Sequence, residues 1–205
     1  LISVVGFPDE DNDGYPDVCN AVCLSTGMTV EPGGPWSLIG DYIDGPAADD
    51  KFGEAVAISG DGTIVAISAY NRDLTGTVQD VGEVQVWIWN GNQWASRGQF
   101  IRGQTANEKF GWSIALSSNG NRLVASAPFY GNEKGVVEVW EWDNNAGVYS
   151  KIHTRFGSAG SQSGYAVAIS PDGNRVEIGE PSAANTKGRV IVLDLSNTSD
   201  IKQVG

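Results

Sequence analysis

Apolar and polar positions alternate along most of the chain after residue 50, in runs too short for helices. Val84, Val86 and Ile88 alternate with Gln85, Trp87 and Trp89, and Val137 and Val139 alternate with Glu138, Trp140 and Trp142. A period of two in β-branched and aromatic residues predicts strands, because successive side chains of an extended chain point to opposite faces. Gly82, Gly135 and Gly188 open these runs. Upstream of each lie two shorter apolar runs joined by a tight turn. Phe52-Gly53-Glu54-Ala55-Val56-Ala57-Ile58-Ser59 is matched by Phe110-Gly111-Trp112-Ser113-Ile114-Ala115-Leu116-Ser117 and by Ser163-Gly164-Tyr165-Ala166-Val167-Ala168-Ile169-Ser170. Asp61-Gly62, Asn119-Gly120 and Asp172-Gly173 follow. These pairs tolerate the positive φ of a tight turn, so three hairpins are predicted. Trp94, Gly98, Ile101 and Gly103 mark a fourth strand, and the same set stands earlier as Trp36, Gly40, Ile43 and Gly45.

The pattern recurs at offsets of 58 and 53 residues, from Phe52 to Phe110 to Ser163. Four short strands per unit without a helical stretch predict an all-β fold, a partial β-propeller of four-stranded antiparallel blades. The blades are expected over about 52–103, 110–157 and 163–205, with an extra strand at 35–45 and an irregular segment over 1–34. A blade cannot bury both faces alone, so neighbours stack on it. The Gly, Ala and Ser of the first two strands suit the crowded axis, and the Trp-rich outer strands suit the wider space between blades. Ile201 to Gly205 falls where Trp94 to Gly98 stand, inside a fourth strand. The array is therefore expected to sit within a longer chain or a homo-oligomer.

Phe52-Gly53 and Phe110-Gly111, followed about seventeen residues later by Ser126-Ala127-Pro128 or Gly179-Glu180-Pro181, resemble the FG-GAP repeat over roughly residues 35 to 205. This is the blade unit of the integrin α-subunit propeller and of many secreted surface proteins. Calcium-binding blades of that family carry a D-x-D-x-D-G loop between their first two strands. Here the loop has shrunk to Ser59-Gly60-Asp61-Gly62, Ser118-Asn119-Gly120 or Pro171-Asp172-Gly173, so the blades are expected to lack calcium.

A metal site is expected ahead of the blades. Asp9, Asp11, Asp13, Gly14 and Asp17 occupy positions 1, 3, 5, 6 and 9 of a D-x-D-x-D-G-x-x-D loop. Alternating carboxylates around a turn glycine supply the hard oxygens that Ca2+ takes, and the Tyr15 carbonyl would add another. Asn20 stands where an EF-hand has its bidentate Glu, and no amphipathic helices flank the loop. Asp9 to Cys19 resembles instead a thrombospondin type 3 repeat, an extracellular calcium-wrapping spacer; a solvated acidic linker is the competing reading. Cys19 and Cys23 are expected to form a disulfide, with each other or with a cysteine outside this sequence, and free thiols are the remaining possibility. Zinc would need two further ligands nearby, and the single histidine, His153, is remote.

Thirteen basic against 25 acidic residues give a net charge of −12, which sets aside a nucleic-acid partner. No run approaches the roughly 18 apolar residues of a bilayer span, and any secretory leader is expected to lie ahead of Leu1. His153 has no nucleophile motif near it, and the tryptophans other than Trp112 recur at strand positions, where packing explains them. Phe129 and Tyr130 are expected as exposed contact residues, Asp41, Asp44, Asp49, Asp50 and Glu54 as a solvated loop, and Asn197 as a glycosylation acceptor. These features predict a secreted or cell-surface structural or adhesive module, stabilised by calcium, with protein or glycan partners, and not an enzyme. A carbohydrate-binding, lectin-like propeller is the alternative, ahead of a propeller hydrolase or lyase. A lectin calls for recurring Trp, Arg and Glu, and Arg72, Arg122 and Arg175 do not all align.

Overall fold

The computed structural model describes residues 38–74, 78–197 and 201–204, and the chain divides into two units, Leu1–Ile39 and Gly40–Gly205. The second unit holds three antiparallel sheets in the predicted order. The first contains β1 (Phe52–Ile58), β2 (Ile64–Ala69), β3 (Glu83–Trp89) and an outer strand broken into β4 (Trp94–Ser96) and β5 (Ile101–Arg102), both paired with β3. The second runs β6 (Ile114–Leu116), β7 (Arg122–Ala127), β8 (Val136–Asp143), β9 (Val148–Phe156). The third runs β10 (Ala166–Ile169), β11 (Arg175–Glu180), β12 (Arg189–Asp194), β13 (Lys202–Gln203). Sequential strands pair in each sheet, the meander of a propeller blade.

The three hairpins form at the predicted turns by one shared device. Asp61 Oδ1 accepts from Ser59 Oγ at 2.6 Å and from Thr63 N at 3.0 Å, while Ser59 Oγ accepts from Ile64 N at 2.9 Å. Asn119 with Ser117 and Asp172 with Ser170 repeat the arrangement. The Ser59 hydroxyl and the Thr63 donors hold the Asp61 carboxyl down to about 2.

Two apolar clusters fill the seams between blades. Ile64, Val84, Val86, Ile101, Phe110, Ile114 and Leu123 belong to the first, and Val124, Val137, Val139, Ile178, Ile191 and Leu193 to the second. On β6, Ile114 and Leu116 face blade 1 while Ala115 faces blade 3. The Phe-Gly element owes its glycine to this packing. Gly111, at φ +89°, sits where a Cβ would lie 2.9 Å from Ser68 Cβ and 3.0 Å from Val84 Cγ2 of the preceding blade. Gly164, at φ +87°, meets Ser126 and Val137 in the same way.

One feature departs from expectation. Residues 38–45 carry no strand, so the described part of the expected 35–45 strand is irregular. The loops after β7 and β11 contain short helical turns, α1 (Tyr130–Glu133) and α2 (Ala183–Thr186), whose central residues are left-handed. Gly131, Asn132, Ala184 and Asn185 all have φ between 53° and 59°, a region that Gly and Asn enter at little cost and Ala does not.

Candidate functional site

Glu138 is a charged residue within the buried first half of β8, and the pleat puts it on the face that Val136 and Trp140 share, toward blade 1. Lys151 reaches it from β9, Nζ to Oε1 2.7 Å, and Thr154 lies directly across from it in the ladder. Blade 1 supplies the opposing wall. Arg102, at the end of β5, is held by Glu83 at 2.6 Å, and Glu108 accepts from Thr105 Oγ1 at 2.7 Å and from the Gln104 amide. Tyr130 and Phe156 close one side as a tilted aromatic pair with centroids 5.6 Å apart, and Phe110 lies between the blades at 2% exposure. Together with Gly103, Gln104 and Val136 these residues enclose a hollow of about 210 Å3 at the seam between blades 1 and 2. Two cations, each paired with a carboxylate (Arg102 with Glu83, Lys151 with Glu138), and a third nearly buried carboxylate, Glu108, stand around it, facing an aromatic wall.

A second aromatic cluster crosses the starts of the inner strands. Trp112 packs on Tyr70 at 5.2 Å, Phe129 at 5.0 Å and Tyr165 at 5.6 Å between centroids. The Lys109 ammonium lies 5.5 Å from the Tyr70 ring and 5.9 Å from that of Phe129, so the protein's own cation fills this cluster.

The residues singled out from the sequence fall in different places. Tyr130 lines the seam pocket, while Phe129 packs on Trp112. Asp50 is not solvated: it is 6% exposed and pairs with Arg72 at 2.9 Å. His153 is half-buried on β9, and burial together with Arg155 holds its pKa below 6.5. Asp9, Asp11, Asp13, Tyr15, Asp17, Cys19 and Cys23 lie outside the described residues, as do Thr198 and Ser199 of the Asn197 sequon. No cluster of three or more His, Cys, Asp or Glu among the described residues is placed to hold a metal ion. Arg102, Glu108, Glu138 and Lys151 escape a motif search, because they meet across a seam and not along the chain. The one signal was Glu138 itself, a carboxylate between Val137 and Val139 in the buried first half of the strand, on the face that Val136 and Trp140 share.

The FG-GAP repeat family model matches residues 44–87. No curated protein matches the sequence. Among solved structures, one named as a candidate 6-phosphogluconolactonase from Bacteroides fragilis is similar at 16% identity and TM-score 0.50, covering 73% of this chain and 36% of its own. A second, named likewise, from Bacteroides uniformis, is 14% identical at TM-score 0.49, covering 73% and 38%. The propeller domain of the Trilobed protease from Pyrococcus furiosus is 14% identical at TM-score 0.42, covering 74% and 42%. The chain thus spans about a third of the length of the first of these structures. It is a β-propeller repeat protein.

The expectation of a non-catalytic adhesive module, and with it that the chain is not an enzyme, is corrected by these comparisons: a structure that shares the fold, that from Bacteroides fragilis, is named as a candidate 6-phosphogluconolactonase. In a propeller, polar groups from separate blades converge at seams irrespective of their distance in sequence. The lack of a repeated His or Cys motif is therefore no ground for setting catalysis aside.

Proposed function

We propose that this propeller array binds a carbohydrate in the pocket between blades 1 and 2. The observation that carries the reading is the pairing of an aromatic wall, Tyr130 and Phe156, with a polar wall of Arg102, Glu108, Glu138 and Lys151. A sugar ring presents an apolar face of C–H bonds and a rim of hydroxyls. The carboxylates accept from hydroxyls and the guanidinium and ammonium donate to them, and because both cations are already paired with carboxylates, Arg102 with Glu83 and Lys151 with Glu138, a neutral polyol is favoured over an anion. The hollow is smaller than the roughly 300 to 1,000 Å3 of drug-sized sites, consistent with one sugar ring.

Calorimetric titration with neutral mono- and disaccharides tests this. Binding should fall at least about tenfold in Phe156→Ala and in Glu138→Gln, each a loss of about 1.4 kcal/mol or more. Equal binding by both variants would remove the pocket from the account. The same titrations with an aldonolactone, following release of the acid, decide whether the pocket also turns its ligand over. Turnover lost in Glu138→Gln would assign that chemistry to this seam.

The proposal extends to residues 1–34 as a separate calcium-binding segment, in which Asp9, Asp11, Asp13, Asp17 and the Tyr15 carbonyl hold one ion. It also includes an extracellular or periplasmic location, where Cys19 and Cys23 would be oxidised and where, in a glycosylating host, Asn197 would be modified. Mass spectrometry under non-reducing conditions should find the two thiols absent, and free, alkylatable cysteines would contradict that location.

A further inference from the structure

The two ends of the array display the two halves of the contact that joins the blades internally. At each internal seam the second blade seats its Gly on the first: Gly111 on Ser68 and Val84, Gly164 on Ser126 and Val137. The matching Gly53 of blade 1 has nothing within 4 Å of its Cβ position. The matching seat on blade 3 is a hollow of about 490 Å3, lined by Tyr165, Ala166, Gly179, Glu180, Arg189 and Val190. One end carries an unseated plug and the other an unfilled socket.

The inner strands repeat this complementarity. Large residues face the preceding blade, Ile114 and Leu116 on β6 and Val167 and Ile169 on β10, and they pack at seams that also take alanines, Ala55 and Ala57 at the first and Ala115 at the second. On blade 1 the corresponding Val56 and Ile58 are 67% and 61% exposed. On blade 3 the corresponding Ala166 and Ala168 are exposed, and Val190 is 70% exposed where its equivalent Val137 is buried at 1%.

An arginine latch is present in the same half-made state. Arg122, steadied by Glu141 at 3.0 Å, reaches the next blade's hairpin at Gly173 O (3.0 Å) and Asn174 Oδ1 (3.1 Å). Its equivalent Arg175 is steadied by Asp194 at 3.3 Å and is 52% exposed, against 16% for Arg122. One internal bond is not repeated. Gly60 N donates to Ser118 O at 2.8 Å and Ser118 N to Pro171 O at 2.9 Å, and Pro171 has no N–H to continue the ladder.

We infer that two copies of this chain associate head to tail, the Phe52-Gly53 end of one filling the Val190 socket of the other and Arg175 reaching the partner's Gly62 carbonyl. A heterologous contact closes when its rotation allows, and twice three blades gives six, within the four to eight of closed propellers. The inference is independent of the carbohydrate pocket, which lies at an internal seam.

Light scattering on the 205-residue chain at about 0.15 M salt, where the −12 charge of each copy is screened, should give twice the 21.7 kDa chain mass. Val56→Asp and Val190→Asp, both at exposed positions, should each raise the dissociation midpoint at least tenfold with unchanged melting of the diluted monomer. Mixing the two variants should give a pair tighter than either variant alone and weaker than the parent, because one seam then joins an intact plug to an intact socket while the other carries both substitutions. A monomer at every concentration would overturn the proposal and leave the socket to another blade. A ladder of masses would overturn the closed pair, and failure of the mixture to associate would overturn the head-to-tail geometry.

Discussion

Four positions at the seam between blades 1 and 2, Ile101, Phe110, Ala127 and Val136, are apolar and join one cluster. Their equivalents at the next seam are Arg155, Ser163, Glu180 and Arg189, matched through the pairings of Val84 with Ile101, Val137 with Arg155, Ala127 with Val136 and Glu180 with Arg189. Glu180 is fully buried and accepts from Arg155 at 2.8 Å and from Arg189 Nε at 2.9 Å, and Arg155 also donates to Ser163 Oγ at 2.9 Å. A charged set thus replaces a hydrophobic one of similar function. Removing one member of a buried ion set strands the others, whereas replacing the whole set with packed apolar groups is neutral or stabilising. Glu180→Ala should therefore lose about 3 kcal/mol in urea unfolding, at the low end because Arg189 is 44% exposed. The quadruple replacement by Ile, Phe, Ala and Val should stay within about 1 kcal/mol of the parent or exceed it. A quadruple variant weaker than Glu180→Ala would refute the equivalence. Burial pushes the Glu180 carboxyl up, but the Arg189 and Arg155 donors outweigh it and hold it below 4.5. The unfolded carboxyl then binds its proton first as pH falls, so this stability is present above the ordinary carboxylate range and is lost as pH drops through the lower folded value. His153 offers a second reading of the same sign. As the only histidine, it should give one imidazole titration by NMR with a midpoint below 6.5, and a midpoint above that would contradict its half-buried place beside Arg155.

At the scale of elements, the blades are joined by arginines that clasp the next hairpin. Arg97 donates to Gly120 O and Asn121 Oδ1, both at 2.8 Å, and lies 4.4 Å from the Trp142 ring. Tyr149, 1% exposed, donates to the same Gly120 carbonyl at 2.6 Å. Tyr149→Phe removes that donor and should cost about 1 to 2 kcal/mol. Burial, partly offset by Arg97, pushes the Tyr149 hydroxyl up to about 12. A pKa raised on folding means the unfolded phenol ionises first, so stability should decline from about pH 10 upward in the parent and less steeply in Tyr149→Phe. Parallel pH profiles would show that the phenol does not titrate with folding. The hairpins themselves were readable in the sequence, because Asp61-Gly62, Asn119-Gly120 and Asp172-Gly173 carry both the side-chain acceptor and the positive φ that the turn needs. The Arg97 clasp was not readable: its partners lie 23 and 24 residues away on another sheet. The irregularity of residues 38–45 was also hidden, since Gly40, Ile43 and Gly45 reproduce the spacing of a strand without its ladder.

At the scale of the molecule, repetition made the fold legible and concealed the site. Each blade repeats the same glycines and strand alternation because each must solve the same seating problem, and three copies in register announce it. The pocket depends on what differs between blades. Glu138 stands where blade 1 has Gln85 and blade 3 has Ile191, a variation that alignment of the repeats reads as noise. The acidic residues ahead of the blades pose the opposite case, a pattern clear in sequence that lies outside the described structure. If Asp9, Asp11, Asp13 and Asp17 hold the calcium, binding belongs to a unit apart from Gly40–Gly205, and an ion stabilises only the unit it binds, by RT ln(1 + [L]/Kd). Chelation should then leave the main melting transition, that of the blades, unshifted. Asp11→Asn combined with Asp13→Asn should abolish tight calcium binding in calorimetry while the blades melt as in the parent. The prediction fails if the double variant keeps its calcium affinity, or if calcium still raises the melting temperature of its blades, since either result would put an oxygen-lined site within the three sheets, where Asp61, Asn119 and Asp172 in the shortened hairpin loops each engage a side-chain oxygen in their own turn.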